Sequence, residues 1–157
     1  MRPQTVAVIE FKETRLAIME HRGDPLMLDE SIRRFIEWRR KNHLSPSVSA
    51  TFNILYGDPR ETPPENFRID ICAAVTQEMS DPEYGIVTGI IPSGRCAVLR
   101  HLGTDESLGE SIQQLCTEWL PLSGEQRREF PVFLQRVHFS PEAGETESVT
   151  DIYLPIA

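Results

Sequence analysis

The sequence predicts an α+β fold made of two βαββ units in series, and three observations carry that expectation. The first is an internal repeat. Arg15-Leu-Ala17-Ile-Met-Glu-His21-Arg-Gly23 returns 80 residues later as Arg95-Cys-Ala97-Val-Leu-Arg-His101-Leu-Gly103. The offset holds at Glu30-Ser31-Ile32 against Glu110-Ser111-Ile112 and then becomes 81, where Trp38 matches Trp119, Phe52 matches Phe133 and Asp70-Ile71 matches Asp151-Ile152. The second is one amphipathic helical stripe per half. The third is a set of runs rich in β-formers before and after each stripe. A repeat this long is a duplicated supersecondary unit and not a short solenoid turn. Repeat one spans about 1–79 and repeat two about 80–157 of a single domain, related by pseudo-twofold symmetry. The seam between the halves is the expected place for a ligand groove.

In repeat one, Thr5–Phe11 and Arg15–Arg22 read as one strand, broken or bulged near Lys12. Gly23-Asp24-Pro25 ends it. Leu28, Ile32, Phe35 and Ile36 fall at helical spacing, so a helix is expected from about Leu26 to Asn42, with Pro46 beyond its end. Ala50–Tyr56 and Phe67–Val75 are the next strands, joined by a loop over Gly57–Glu65 that holds three prolines. Ser80–Gly85 is the junction. Repeat two begins with strands Ile86–Ile91 and Arg95–Leu102, joined by a tight Pro92-Ser93-Gly94 turn into a hairpin that Gly89 and Gly94 bracket. Leu108, Ile112, Leu115, Cys116 and Trp119 make the second stripe, which Pro121 is expected to stop. Pro131–Phe139 and Val149–Ile156 are the last strands, around an acidic loop containing Glu142–Glu147. The strands are expected to form a curved antiparallel sheet carrying one main helix per half.

The totals exclude several functions. The chain has 157 residues, a net charge of −8, and 39% hydrophobic and 25% charged residues. That balance argues against a free-standing nucleic-acid binder. No apolar run approaches the roughly 20 residues of a membrane span, no signal peptide is visible, and a cytoplasmic protein is expected. Cys72, Cys96 and Cys116 are odd in number and lack metal spacing, so buried free thiols are expected. His21 and His101 are paired by the duplication but have no further ligand at metal spacing. Each is expected at a strand end with a backbone partner, and neither a metal nor a cofactor is called for. The basic run Arg33, Arg34, Arg39, Arg40 and Lys41 reads as a solvated helix face. No nucleophile elbow, phosphate-cradling loop or dinucleotide fingerprint is present.

Several segments, taken together, resemble a family. They are Glu20-His-Arg-Gly23, Leu55-Tyr-Gly-Asp-Pro59-Arg-Glu-Thr-Pro63-Pro-Glu65, Phe67-Arg-Ile-Asp70, Gly89-Ile-Ile-Pro-Ser-Gly-Arg95-Cys-Ala97-Val and Asp151-Ile-Tyr-Leu-Pro-Ile156. The chain resembles the gyrase-inhibitor-like (GyrI-like) small-molecule-binding domain, which also forms the effector-binding half of some AraC-type and MerR-type bacterial regulators. The resemblance implies a duplicated βαββ fold with its ligand between the halves. It also implies a role in multidrug sensing, in protection against gyrase-directed toxins or, in one branch, in hydrolysis of reactive toxins.

The chain departs from that family at strand seven. A glutamate facing the pocket is common there, in Phe-Glu-x-Tyr, whereas this chain reads Phe133-Leu134-Gln135-Arg136. Leu134 stands for the acid and Arg136 for the aromatic. Residues two apart share a strand face, so both should point the same way. Leucine cannot pair with a cation, and a guanidinium repels one, so a neutral or anionic ligand is expected. Alternatively Arg136 reaches solvent and the pocket is merely apolar, and Glu20 could restore an acid from another strand. Tyr56, at a strand end, lines the groove or is a half-buried strand-end ring. Trp38 sits at the edge of its stripe, which suits either groove lining or packing. Trp119 sits mid-stripe, which favours the core, and it stays a candidate.

The reading that follows is a non-catalytic effector-binding domain for a small molecule, reaching DNA only through a separate domain. The alternatives are a stand-alone toxin-protection protein that binds gyrase, and a hydrolase. The hydrolase needs a carboxylate to activate water, and Leu134 removes the expected one.

Overall fold

Lys12-Glu13 and Pro92-Ser93 are poor hairpin turns. Two-residue hairpins want φ > 0 at their centre, which favours glycine and asparagine, and proline fixes φ near −65°. In the computed structural model, which describes residues 5–57, 62–138 and 148–157, neither segment closes a hairpin. Strand β1 (Val6–Phe11) and strand β2 (Thr14–Arg22) are separate. So are β5 (Ile86–Ile91) and β6 (Gly94–Leu102). The bulged single strand and the β5–β6 hairpin expected from the sequence are therefore both corrected. At Lys12-Glu13 and again at Pro92-Ser93 the chain leaves one compact unit and enters the other.

One unit is Glu13–Ile91, and the other holds the described parts of Met1–Lys12 with Pro92–Ala157. In the first, β2 pairs with β5 and with β4 (Arg68–Ala74), and β4 pairs with β3 (Thr51–Leu55). In the second, β6 pairs with β1 and with β8 (Val149–Pro155), and β8 pairs with β7 (Phe133–His138). All these pairings are antiparallel. Each unit thus takes its outer strand from the other repeat, and the two strand orders match. The acidic residues Glu142–Glu147 and positions 58–61 of the proline-punctuated loop lie outside the described residues.

Helix α1 (Leu28–Lys41) follows a short 3₁₀ turn, Pro25–Met27, which Asp24 caps by accepting a hydrogen bond from the Leu26 amide at 2.9 Å. Asp29 and Glu30 begin α1, and Arg39, Arg40 and Lys41 end it, as the helix dipole favours. Its inner face packs Phe35 and Trp38 on Ala17, Met19, Ile71, Ala73 and Ile86, with Tyr84 closing the side. The basic run is only partly a solvated surface. Arg39 is buried and donates to the carbonyls of Leu44 and Ser49 and to the Thr51 hydroxyl, each at 2.7 Å. Burial pulls its pKa down to about 10.

The second helix departs from expectation at Pro121. Helix α2 (Leu108–Gln113) runs into a π-helical stretch, Gln114–Trp119, and then into a last turn, α3 (Leu120–Ser123). Pro121 sits in the first positions of that last turn and does not end the helix, which stops at Gly124 with φ +78°. Proline is tolerated early in a turn, and a widened π turn leaves room that an α turn lacks. The Thr117 hydroxyl donates to the Gln113 carbonyl at 2.7 Å, satisfying an acceptor in the disturbed stretch. A π turn absorbs one extra residue, and here it lies where the repeat offset changes from 80 to 81, between Ile112 and Trp119.

The paired histidines clamp each helix start to its strands. His21 Nε2 donates to the Asp24 carbonyl at 3.1 Å, leaving Nδ1 to accept the Ser31 hydroxyl at 2.8 Å. His101 repeats the arrangement with the Thr104 carbonyl and Ser111, both at 2.9 Å. The strand-end placement with a backbone partner is as expected from the sequence, and the serines add a second partner. Ser111→Ala should leave a buried Nδ1 unpaired and cost about 1–2 kcal/mol of stability, read from a urea midpoint.

Candidate ligand-binding site

Antiparallel partners share a face, so each strand face can be followed across its unit. In the unit of Glu13–Ile91, the face opposite α1 carries Leu16, Ile18 and Glu20 of β2, Asp70 and Cys72 of β4, and Phe52 and Ile54 of β3. Its apolar part is buried, and its polar end is a connected cluster. Glu20 and Asp70 are direct cross-strand partners. Arg68 bridges them, with Nη2 3.1 Å from Glu20 Oε1 and Nε 3.3 Å from Asp70 Oδ1. Arg22 holds the other Glu20 oxygen at 3.1 Å. Tyr56, just past β3, donates its hydroxyl to Asp70 Oδ2 at 3.0 Å, and the Arg68 guanidinium lies 3.9 Å from its ring centroid.

Burial sets the titration of this cluster. It raises the Asp70 carboxyl above the usual carboxylate range, and Arg68 and the Tyr56 hydroxyl hold it down against that. Tyr56 is pushed up to about 12, first by burial and then by the Asp70 charge.

The other unit carries a simpler version. The repeat replaces Glu20 with Arg100, directly across from Asp151. Arg100 grips that carboxylate with two bonds, at 2.8 and 3.1 Å. Beside it Tyr153 donates to Gln135 Oε1 at 3.1 Å and stacks on Phe133 at 4.8 Å. Burial, then the Asp151 charge, raises Tyr153 to about 12.

Of the six candidates, Glu20 and Tyr56 are brought together, joined through Arg68 and Asp70. Both linking residues lie in the segment Phe67-Arg-Ile-Asp70 that carried the family resemblance. The recurrence of Asp70-Ile71 at Asp151-Ile152 was the signal that could have singled Asp70 out. Leu134 and Arg136 share a face, as strand alternation requires. They pair with Ile152 and Thr150, which pair in turn with Leu99 and His101, so this is the face that α2 covers. Leu134 is 1% exposed. Arg136 does not extend into solvent: Nη1 lies 2.8 Å from Asp105 Oδ1 and 3.3 Å from Thr150 Oγ1.

Of the two readings left open for Trp38 the structure shows packing, and Trp119, expected in the core, is only partly buried. Trp38 is 1% exposed and stacks on Phe35 at 5.8 Å. Strand β5, supplied by repeat two, widens the apolar floor under α1, and Tyr84 covers what the helix stripe alone makes an edge. Trp119 is half-buried and lines an open cavity of about 180 Å³ with Val6, Leu99, Leu115 and Leu122.

Among the described residues, no helix is long and apolar enough to cross a membrane. The free thiols Cys72 and Cys96 are buried and Cys116 is half-buried.

The chain is 36% identical over 153 residues to a protein named probable transcriptional regulator YgiV of Escherichia coli K12, covering 97% of this chain and 96% of that protein. Its fold matches the crystal structure of the EcmrR C-terminal domain with a TM-score of 0.75 at 17% identity, over 98% of both chains. Against EcmrR in its complex with DNA the match spans only 57% of that chain. A protein from Listeria innocua described as a hydrolase shares the fold at 10% identity with a TM-score of 0.66, over 98% of this chain and 92% of that one. Residues 4–157 match the family model of the GyrI-like small molecule binding domain. With nearly every residue inside that match, the chain belongs to the GyrI-like small-molecule-binding domain family.

Proposed function

We propose that this chain is a non-catalytic effector-sensing domain for transcription regulation, whose ligand is neutral or anionic rather than cationic. Family membership and the regulator relative support sensing. The observation that carries the charge preference is that the carboxylates opposite the helices are already neutralised. Glu20 meets Arg22 and Arg68, Asp70 meets Arg68, and Asp151 meets Arg100. A cation entering here displaces a guanidinium and gains little. The same pairing disfavours hydrolysis, because a general base must be released from its arginine before it can take a proton from water. Arg136 contributes less to anion preference than the sequence suggested, since Asp105 meets its charge. DNA contact, in this reading, belongs to a separate domain, and the buried thiols suit a reducing cytoplasm.

The test is a titration with three aromatic ligands of one shape, carrying a cationic, a neutral or an anionic group. The neutral and anionic members should bind at least tenfold more tightly than the cation. Tightest binding by the cation would refute the charge reading, and steady product formation from a reactive ester or epoxide would refute the non-catalytic one.

A further inference from the structure

The cavity beside Trp119 has a filled counterpart in the other unit. In the unit of Glu13–Ile91, the Tyr84 ring is 8% exposed and packs with Met19, Phe35, Trp38 and Ile86. The Arg34 guanidinium lies 5.9 Å and the Lys41 ammonium 5.1 Å from its centroid. The repeat carries these neighbours onto the cavity wall. An offset of 80 relates Val6 to Ile86, Leu99 to Met19, Gln114 to Arg34 and Leu115 to Phe35, and an offset of 81 relates Trp119 to Trp38 and Leu122 to Lys41. Six of the residues on the cavity wall are thus counterparts of residues that gather around Tyr84 in the other unit. Repeat one supplies no such ring at the matching sequence position, since Gln4 stands 80 positions before Tyr84.

We propose that this cavity is a binding site for a single-ring aromatic molecule of the phenol class, stacked on the indole of Trp119. The volume, about 180 Å³, has room for one ring, and the site is open to solvent on the side of Leu122. The wall is apolar except for Gln114 and Glu118, which can accept a hydroxyl proton at the rim. The cations that flank the ring in repeat one are replaced by Gln114 and Leu122. Attraction from a cation to the ring face is therefore absent here, and Glu118 disfavours an aryl carboxylate. A neutral phenol is left as the best match. This site goes beyond the sensing function above and does not use the Glu20–Arg68–Asp70 cluster.

The experiment is a fluorine NMR titration of 4-fluorophenol into the whole chain. Wild type should give a saturable shift for one site. Val6→Phe, which fills the cavity, should abolish the shift and raise Tm. Trp119→Leu, which keeps the helix and removes the stacking surface, should weaken binding at least tenfold. Tyr84→Ala should open the matching slot, adding a second site and a Tm that recovers as 4-fluorophenol is added. No saturable shift in wild type would overturn the proposal. So would wild-type binding in Trp119→Leu, which carries the test alone if Val6→Phe does not fold.

Discussion

Replacing Trp38 with alanine is expected to remove about 3–5 kcal/mol of folding stability, the usual cost of emptying a buried aromatic site. Trp38 touches Phe35 and the strands beneath α1 and is 1% exposed, so its neighbours cannot collapse cheaply onto the space. Trp119→Ala, at the matching place in repeat two, should cost less than Trp38→Ala, because that side chain is only partly buried and already borders open space. Urea unfolding of both variants, with the slope checked for constancy, decides it. Equal losses would mean that the two indoles are equally packed and that the contrast drawn between the repeats is wrong. Trp38→Ala should also leave affinity per folded molecule unchanged, because the indole offers a ligand no surface.

The second large effect is expected from Arg68→Met. Glu20 and Asp70 face each other across β2 and β4, and like charges directly opposite are destabilising. Arg68 is the bridge between them. Its removal should cost about 2 kcal/mol near neutral pH, less than the roughly 3–5 kcal/mol of a fully buried broken pair, because Arg68 keeps 27% of its surface in water. The loss should shrink in acid. Burial already raises Asp70 above the usual carboxylate range, and Arg68 opposes that rise. Without Arg68 the folded pKa climbs further. Between the ordinary value and the raised one, the folded variant keeps a proton that the unfolded chain has released, so stability falls as pH rises. Urea midpoints of wild type and variant at pH 4.5 and 7.5 should therefore converge at the lower pH. A loss that ignores pH would mean that Arg68 acts through packing on Tyr56 alone.

The duplication and its two helical stripes were legible because they are local patterns that recur. The elements among the described residues, eight strands with helical turns in each repeat, follow from them. The exchange of outer strands was not legible. A short connector such as Lys12-Glu13 looks alike whether the chain folds back or passes on, and only the absence of hairpin-turn residues hints at the second. The sequence left Trp38 open between groove and packing, and favoured the core for Trp119, for the same reason. A helical wheel gives the centre of a stripe, but its width depends on which strands lie beneath, and β5 comes from the other repeat. For the site, Glu20 and Tyr56 could be named from type and position. Arg68 and Asp70 were passed over because their role is to hold other side chains, which emerges only when β2 and β4 lie side by side.

The shared strand order has a consequence for a repeat expressed by itself. A lone copy of about 80 residues would fold β2, α1, β3 and β4 and then have no strand to place beside β2, while its own β1 would have no sheet to join. Two such copies would satisfy each other. A half-length fragment is therefore an obligate dimer in the making, and the covalent link at 80–85 turns a concentration-dependent assembly into one whose partner is always present.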